Sequence, residues 1–499
     1  MKTFMDENFL LENKKGAELY QQVKDLPIFD YHCHLDPKEI YENRSFYNLT
    51  ELWLECDHYK WRVMRNAGVS EEFVTGKADP YEKFLAFARS LPLFPGNPVY
   101  HWAHLELKKY FGITEPLSEK TASAIWEQTK KIMADGSFCA RNLIRQSNVD
   151  TIFTTDDPTS DLKYHALLAQ EKTKNSDVTF TVSPSFRPDR FVNIEKPDFP
   201  KAIAELEKAC NNQKIENYDS LVKALNNRLD FFVDKGCAIA DISFTDFPKI
   251  MTSDENMTSE KLTTICDKAI KIALNSDKSD IIHDELSNLN MTFKYCMIKN
   301  LALMFAQKNM TMQIHTGVLR NQNTTRFAQC GADCGIDSVG NSINIEAAGL
   351  LFDDIEKTAA SRAADCANSS KIDCAGLPRI ILYTLNPNSY YPIATMIGDF
   401  AGKVPGRMQM GAAWWFMDHR DGIKEQLKIF ANTSGLGVFN GMLTDSRSFV
   451  SYVRHDYFRR ILCSVIGEWI ENGEYPDDEN AVELVKNISF YNAKNNFSR

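Results

Sequence analysis

Eight short runs of β-branched and apolar residues recur along the sequence, and each is followed by polar residues. They occupy residues 27–35, 149–157, 177–185, 236–244, 310–317, 378–386, 407–415 and 438–446. Helical patterns separate most of the runs. Between residues 218 and 236, for example, apolar residues recur every three or four positions until Gly236 ends the pattern. Such alternation favours parallel β/α units, and eight units close a TIM barrel. We therefore predict an α/β protein built on a (β/α)8 TIM barrel.

Two connections between the runs are too long for a simple crossover. Residues 36–148 separate the first two runs and are mostly helical in pattern, so we predict a helical insertion after the first strand. Residues 245–309 form a second long, helical connection. The predicted organisation is an N-terminal segment with the first barrel strand at 1–35, the mainly helical insertion at 36–148, and the remainder of the barrel at 149–499.

Charge and composition argue against several classes of protein. The formal net charge is −10, which disfavours binding to the phosphate backbone of nucleic acids. Acidic residues and lysines interrupt the first apolar run of the N-terminus, which disfavours a signal peptide. No stretch approaches the roughly 18 apolar residues of a membrane span. We predict a cytoplasmic protein that binds neither nucleic acid nor membranes.

The stretch FDYHCHL places His32 and His34 two residues apart, so a β-strand points both side chains to one face. A lone H-x-H is common at the polar edge of an ordinary strand. Here, however, run eight ends in Asp445 and neighbours run one once a barrel closes. Two imidazoles and one carboxylate would form an open three-ligand site. We predict one divalent metal ion at this site, with zinc as the preferred candidate.

Other runs also end in polar residues, where the active site of a TIM barrel lies. His315 ends run five and is either a further ligand, a substrate contact or a histidine bonded to loop backbone. Asp156 and Asp157 precede Pro158, a position that favours a turn. Asp30 lies lower in the first strand and is expected to orient a ligand histidine.

Arg187 and Arg447 follow the ends of runs three and eight. A guanidinium at such a position suits bidentate capture of a carboxylate or phosphate, although a structural salt bridge is the commoner role. No glycine-rich cradle follows runs seven or eight, which favours a carboxylated small molecule. His58 and Tyr59 lie in the predicted insertion, where they are packing residues unless the insertion folds over the barrel mouth.

Several stretches, taken in order, resemble the motifs of the uronate isomerase family, also called glucuronate isomerase. They are FDYHCHLDPKEI, LWLECDHYKWRVMRNAGV, GNPVYHWAHLEL, TTDDP, SFRPDR, IHTGVLRN, YTLNP, WWF and GMLTDSRSFVSYVRHDYFRR. The family is an isomerase branch of the amidohydrolase superfamily, with a (β/α)8 barrel and an added helical region. The resemblance implies interconversion of D-glucuronate with D-fructuronate, and of D-galacturonate with D-tagaturonate. The reaction would move a proton between C2 and C1.

The resemblance also implies roles for individual residues. His32, His34 and Asp445 look like the metal site. Asp445 is expected to act as the base, and either Tyr59 or His58 to handle the hydroxyl proton. The positions expected to bind substrate are Arg187, Arg447, Trp415 and His315.

Two other functions stay open at this point. A metal-dependent hydrolase of the same barrel type typically adds a strand-four lysine or a strand-six histidine, but run four ends in ISF and run six in TLN. An inactive sugar-acid binding protein would be favoured if the metal ligands were missing. Residues 359–376 are richer in Ala, Ser and Cys than is usual for the family. We expect them to alter the surface or the assembly, with a homo-oligomer as one candidate, and to leave the chemistry unchanged.

Overall fold

The computed structural model describes residues 3–174, 177–251, 257–275, 280–365 and 376–498. The protein has a mixed α/β fold in which parallel strands alternate with helices. The strands of the described residues are β1 (Ile28–Asp30), β2 (Val149–Phe153), β3 (Thr181–Ser183), β4 (Ser185–Phe186), β5 (Ile239–Ser243), β6 (Thr311–Thr316), β7 (Val318–Leu319), β8 (Ser338–Val339), β9 (Arg379–Thr384) and β10 (Met408–Met410).

Helices connect and surround these strands. They are α1 (Lys14–Val23), α2 (Pro37–Tyr41), α3 (Leu49–Trp53), α4 (His58–Asn66), α5 (Glu71–Val74), α6 (Pro80–Ser90), α7 (Pro98–Phe111), α8 (Glu119–Met133), α9 (Ala140–Gln146), α10 (Lys163–Thr173), α11 (Asp189–Val192), α12 (Phe199–Ala209), α13 (Tyr218–Asp234), α14 (Ser259–Asn275), α15 (Asp280–Gln307), α16 (Thr324–Cys330), α17 (Ile345–Asp365), α18 (Tyr390–Asp399), α19 (Arg420–Thr433), α20 (Val453–Glu471), α21 (Glu479–Lys486) and α22 (Asn492–Phe497). Within the described ranges, no helix combines the length and apolar character needed to cross a bilayer.

Two parallel sheets carry the strand ends that face the candidate site. The first sheet has the order β1-β2-β3, and the second has the order β10-β9-β6-β5-β4. In the second sheet, Ser243 of β5 is in register with His315 of β6, which in turn is in register with Tyr383 of β9. Parallel pairing therefore brings the carboxyl ends of these strands to one edge. The short strands β7 and β8 pair antiparallel.

The core lies on both faces of the strands. In α13, Leu221, Leu225, Leu229 and Phe232 are buried, as their spacing predicts. A second cluster of buried side chains includes Phe29, Phe153, Ile239, Ile381 and Tyr383, all from strands. Strands that are buried on both faces read as nearly continuous apolar runs, and this explains why the runs were visible in the sequence.

The third predicted run is divided between the two sheets. β3 pairs with β2, whereas β4 pairs with β5. Pro184 separates them and has no N–H group to complete a ladder. The N–H of Ser185 still donates to Thr154 O, and the N–H of Thr154 donates to Ser183 O. The run therefore connects the edge of one sheet to the edge of the other.

The eighth run, residues 438–446, was expected to be a strand, and this expectation is wrong. The structure assigns it no strand. Gly441 and Asp445 have φ values of 73° and 46°, in the left-handed region that regular strands do not use. A side chain also replaces a ladder partner, because the N–H of Asn440 donates to Gln409 Oε1 at 3.0 Å.

This irregular segment nevertheless lies beside the first strand. The N–H of Asp445 donates to His32 O at 3.1 Å, and the N–H of His34 donates to Ser446 O at 3.0 Å. These two backbone bonds place the carboxylate next to the histidine pair without a continuous ladder.

The residues between β1 and β2 form α2 to α9, in agreement with their helical sequence pattern. Whether residues 36–148 are a separate unit, with the boundaries predicted above, stays a prediction. In the atypical stretch at 359–376, residues 366–375 lie outside the described residues.

Candidate active site

The three predicted metal ligands come together at one point. His32 Nε2 lies 3.3 Å from Asp445 Oδ1, and His34 Nε2 lies 3.2 Å from the same oxygen. All three ligand atoms are within 4.8 Å of one another. Ligands held 2.0–2.1 Å from a tetrahedral zinc ion are roughly 3.3 Å apart, so the spacing suits such an ion. Burial lowers the pKa of His34 to about 4, which leaves a neutral imidazole, the form that binds metals.

Asp445 is held in place from two sides. Its N–H group is bonded to His32 O, and Trp414 Nε1 donates to Asp445 Oδ2 at 2.7 Å. These contacts leave Oδ1 beside the histidines. Burial alone would raise the pKa of Asp445, but the adjacent His32 and His34 outweigh it and hold the pKa well below its usual value. The carboxylate is therefore ionised.

His315 lies beside the histidine pair and is bonded to a carboxylate. Its ring centroid is 4.9 Å from that of His32, and its Nδ1 lies 2.7 Å from Asp241 Oδ1. Burial lowers the pKa of His315, so the neutral ring donates Nδ1–H to Asp241. Its buried Nε2 has no hydrogen-bond partner among the described residues. The backbone-bonded interpretation of His315 is therefore wrong.

Asp241 also forms an ion pair with an arginine. Its Oδ2 lies 3.0 Å from Arg187 Nη1, and Arg187 Nε donates to Asp189 Oδ2 at 3.0 Å. Ligand atoms of His32, Asp241 and His315 form a second group within 4.8 Å. The arginine already balances the carboxylate there, so the group at Asp445 suits a cation better.

His58 and Tyr59 reach the cavity from the start of α4. The Asp57 side chain caps this helix by accepting from the N–H groups of Tyr59 and Lys60. The His58 ring lies 5.0 Å from the Tyr59 ring and 5.2 Å from the Trp415 ring, between centroids. The helical region after β1 therefore covers the strand ends, which is the condition that the sequence left open.

Arg447 lies at the rim of the site. Its Nη2 donates to Asp333 Oδ2 at 2.9 Å, and its side chain is 35% exposed. Asp333 belongs to the segment after β6. In the same segment, Arg320 Nη1 and Asp337 Oδ2 form an ion pair at 2.8 Å. The guanidinium of Arg320 lies 5.5 Å from the Trp415 ring centroid.

A cavity of about 370 Å³ joins these groups. All nine predicted site residues line it, namely His32, His34, His58, Tyr59, Arg187, His315, Trp415, Asp445 and Arg447. Its volume is in the range of pockets that hold small ligands.

Comparison with known proteins identifies the family. The model of the family described as glucuronate isomerase matches residues 1–497. This chain belongs to the glucuronate isomerase family. A protein named uronate isomerase from Caldanaerobacter subterraneus subsp. tengcongensis is 46% identical over 499 residues, which cover 99% of both chains.

Solved structures of the glucuronate isomerase family have the same fold. The crystal structure of uronate isomerase from Thermotoga maritima has a TM-score of 0.85 and 31% identity, covering 99% of this chain and 100% of that chain. Glucuronate isomerase from Caulobacter crescentus has a TM-score of 0.83 at 24% identity, covering 99% of this chain and 96% of that chain.

In this member of the glucuronate isomerase family, Asp30 has a different partner from the one expected. Its carboxylate accepts from the N–H of Thr444 at 2.8 Å and from Thr444 Oγ1 at 2.6 Å. It therefore holds the residue that precedes Asp445, and the expectation that it orients a ligand histidine is wrong. Asp157 accepts from the N–H of Thr159 at 2.9 Å, which confirms the predicted turn.

Several polar residues of the site are absent from the sequence prediction. They are Asp189, Asp241, Arg320, Asp333, Asp337 and Arg454. Only Asp241 had a local signal, because it interrupts the apolar run GCAIADISF two residues before Ser243. The others lie on helices and loops, where charged residues are ordinary.

Proposed function

We propose that this protein is a uronate isomerase that interconverts D-glucuronate with D-fructuronate and D-galacturonate with D-tagaturonate. The observation that carries this proposal is the match of nearly the whole chain, residues 1–497, to the glucuronate isomerase family. A uronate substrate is also consistent with a polar cavity that carries guanidinium groups.

One divalent ion, with zinc preferred, is proposed to bind His32, His34 and Asp445. Two imidazole nitrogens and a carboxylate oxygen converge there, and these donor types suit zinc. The Nε2 atoms of His32 and His34 lie 3.3 and 3.2 Å from Asp445 Oδ1, so one ion could contact all three groups. When bound, the ion supplies positive charge beside the substrate oxygens, where the reaction develops negative charge.

The isomerisation needs one proton moved between carbons and one moved between oxygens. We assign the carbon proton to Asp445, which takes it from C2 of the aldose and returns it to C1. The hydroxyl on C2 gives up its proton and becomes a carbonyl, while the oxygen on C1 receives a proton and becomes a hydroxyl. Tyr59 or His58 handles this second transfer. Burial lowers the pKa of His58, so its ring is neutral near neutral pH and one ring nitrogen can accept a hydrogen bond from a substrate hydroxyl.

The remaining residues are proposed to bind and orient the sugar acid. Arg447 suits the substrate carboxylate, because it lies at the rim and remains partly exposed. Arg187 contributes charge from deeper in the cavity, where Asp189 and Asp241 fix its position. Trp415 offers a flat apolar face, and His315 Nε2 offers a free hydrogen-bond acceptor.

We further infer that the two sheets are parts of one closed (β/α)8 barrel. Residues 181–186 pair with β2 through β3 and with β5 through β4. On the opposite side, residues 438–446 lie between β10 and the first strand, through the bonds of Asn440 to Gln409 and of Asp445 to His32. These links support a cyclic order of the strands. Cytoplasmic location, a homo-oligomer and the lack of nucleic-acid binding stay predictions.

The function is tested by incubating purified protein with D-glucuronate, and separately with D-galacturonate, in deuterium oxide. We expect the corresponding ketose, carrying deuterium from the solvent at C1. Failure to form a ketose from either uronate would contradict the isomerase function and return the hydrolase alternative to consideration. A deuterium-free ketose would instead indicate a hydride shift or a shielded proton.

The metal site is tested in the same assay with His32→Asn. This variant should lose bound metal and activity together, because it removes one of three ligands. The control is His101→Asn, since His101 on α7 bonds to Tyr457 and does not line the cavity. Metal content is measured by elemental analysis. Full activity and full metal content in His32→Asn would exclude this metal site.

A further inference from the structure

The hydroxyl of Tyr59, a residue that lines the cavity, is bonded to a buried carboxylate. Tyr59 Oη donates to Asp418 Oδ2 at 2.9 Å. Asp418 is 3% exposed and is not among the residues that line the cavity. Its other oxygen, Oδ1, is buried without a hydrogen-bond partner in the described chain. Among the described residues, the hydrogen bond from Tyr59 is the one that joins this carboxylate to a side chain of the cavity.

A buried arginine contacts both members of this pair. The guanidinium carbon of Arg454, on α20, lies 4.8 Å from the centroid of the Tyr59 ring. Its Nη1 is 3.9 Å from Asp418 Oδ2 and donates to Thr444 O at 2.8 Å. Thr444 directly precedes Asp445. One cation thus fixes the phenol ring, the buried carboxylate and the backbone beside the proposed base.

The hydrogen bond from Tyr59 to Asp418 limits how Tyr59 can accept a proton from the substrate. A tyrosine hydroxyl has one hydrogen to donate and two lone pairs that accept. Because the hydrogen is donated to Asp418, the hydroxyl has only its lone pairs left to offer a substrate. Tyr59 can therefore accept a proton from a substrate hydroxyl only if it releases its own proton to the carboxylate.

We propose that Asp418 is a positioning residue that orients the Tyr59 hydroxyl and receives its proton during the reaction. This inference rests on the isomerase function proposed above. In the first half, the substrate O2–H bond and the Tyr59 O–H bond break, while a new Tyr59 O–H bond and an Asp418 O–H bond form. In the second half, the proton returns from Asp418 to Tyr59, and Tyr59 protonates O1. No other reactant is needed.

The surroundings of Asp418 allow it to hold a proton. Burial raises the pKa of Asp418 to about 7, although Arg454 opposes this effect. The carboxyl group can thus take up and release a proton near neutral pH. A phenol alone would be a poor acceptor, because forming a phenol cation is unfavourable; simultaneous release to Asp418 avoids it.

The decisive variant is Asp418→Asn, assayed alone and combined with Tyr59→Phe. Asparagine keeps the shape and one acceptor oxygen for Tyr59, but it cannot take up a proton under these conditions. We expect kcat to fall about 10² to 10⁴-fold, the usual contribution of an acid–base group, while KM changes little. In the Tyr59→Phe background, Asp418→Asn should have almost no further effect, because the relay is already broken.

The matched control is Asp156→Asn. Asp156 is also buried, accepts a hydrogen bond from a hydroxyl group, Thr154 Oγ1 at 2.8 Å, and has its pKa raised by burial to about 7. It does not line the cavity. The kcat of this variant should stay within twofold of the wild type. The conservative variant Asp418→Glu should retain more activity than Asp418→Asn.

A measurement on folded wild-type protein covers the case in which Asp418→Asn does not fold. Infrared difference spectra between free protein and protein at equilibrium with uronate should contain a protonated-carboxyl band that Tyr59→Phe lacks. An identical spectrum in Tyr59→Phe would overturn the relay.

The kinetic outcomes separate the two proposals. If wild-type protein forms no ketose, the isomerase function and the relay both fail. If wild type is active and Asp418→Asn keeps its kcat, or if its loss is equal in both backgrounds, the relay alone is wrong.

Discussion

At the scale of single residues, burial and neighbouring charges decide which groups are ionised. Asp445 is ionised because two histidines contact it, while burial keeps His34 neutral. Asp156 is buried, and the nearby His165, whose Nε2 lies 3.6 Å from Asp156 Oδ2, is neutral at neutral pH because burial lowers its pKa to about 4; burial therefore raises the pKa of Asp156 to about 7. Identical side-chain types thus carry different charges at neutral pH, and only their surroundings distinguish them.

Asp156 gives a prediction about stability and pH. Its pKa in the fold, about 7, is above the ordinary value of 3.8. Between these two pKa values the folded state holds a proton on Asp156 that the unfolded state has lost. The contribution of this group to the free energy of unfolding is therefore full below about pH 4 and is lost as the pH rises through 7. Asp156→Asn removes this loss. At about pH 8 we expect the variant to have a higher Tm than the wild type, and a free energy of unfolding that is higher by at most about 4 kcal/mol. At about pH 4 we expect no such gain.

Thermal unfolding at the two pH values measures this difference. The control is Asp399→Asn at an exposed position, which should shift Tm equally at both. A gain for Asp156→Asn that is independent of pH would show that the carboxyl group is not the cause.

At the scale of elements, the segment 438–446 lacks regular strand geometry, and its irregular backbone positions the side chain of Asp445. Its left-handed residues Gly441 and Asp445 interrupt the ladder. The segment nevertheless places the Asp445 carboxylate beside His32 and His34. Asp is one of the residues that enter the left-handed region most readily, so the conformation at Asp445 costs little.

Gly441 allows this segment to be tested. A Cβ at Gly441 would lie 2.0 Å from Ile488 O, whereas a Cβ at Gly473 would meet nothing within 4 Å. Their φ values, 73° and 74°, are nearly the same. Both alanine variants therefore carry the same backbone strain of about 1 kcal/mol. Gly441→Ala should lose at least about 2 kcal/mol more than Gly473→Ala, because it adds a backbone clash.

Chemical unfolding of the two variants gives the comparison, and kcat is measured beside it. Only Gly441→Ala should also lose activity, since the segment carries Asp445. Equal losses of stability would mean that Ile488 moves aside at little cost.

At the scale of the whole molecule, distant parts of the chain close the cavity together. Arg62 of α4 donates to Gly335 O at 3.2 Å and to Asp337 O at 2.9 Å. Arg447, from a third part of the chain, donates to Asp333 in the same segment. These contacts join the helical region after β1 to the segment after β6.

Gly335 lies where these two parts of the chain meet. Its φ is 84°, and an added Cβ would be 2.9 Å from His58 O. Gly335→Ala should displace His58 and lower kcat/KM by about 10-fold or more, since small misplacements at a site have large kinetic effects. Gly331→Ala is the control in the same segment, because its φ is 76° and nothing lies within 4 Å of the added Cβ.

Steady-state kinetics with either uronate measures the effect. Both variants should remain folded at the assay temperature, and Gly335→Ala should have the lower kcat/KM. Equal kinetics in both would show that the contact with His58 does not position the site.

Much of the fold and site was predictable because the signals are local. Strands and helices are visible in the periodicity of apolar residues, as for the buried face of α13. His32 and His34 share a face because a strand repeats every two residues. His58 and Tyr59 were assigned roles in the site only through the family resemblance, since nothing in a helical stretch indicates which cavity it covers.

The sequence by itself determined the strand and helix pattern, the histidine pair and the family. Only the tertiary structure decided that residues 438–446 leave the strand conformation, that His315 bonds to Asp241, and that Tyr59 bonds to Asp418. The physical reason is distance along the chain. Tyr59 and Asp418 are 359 positions apart, so no local pattern couples them. Their contact depends on packing of helices and strands into one core, which burial of apolar surface favours regardless of which polar groups then meet.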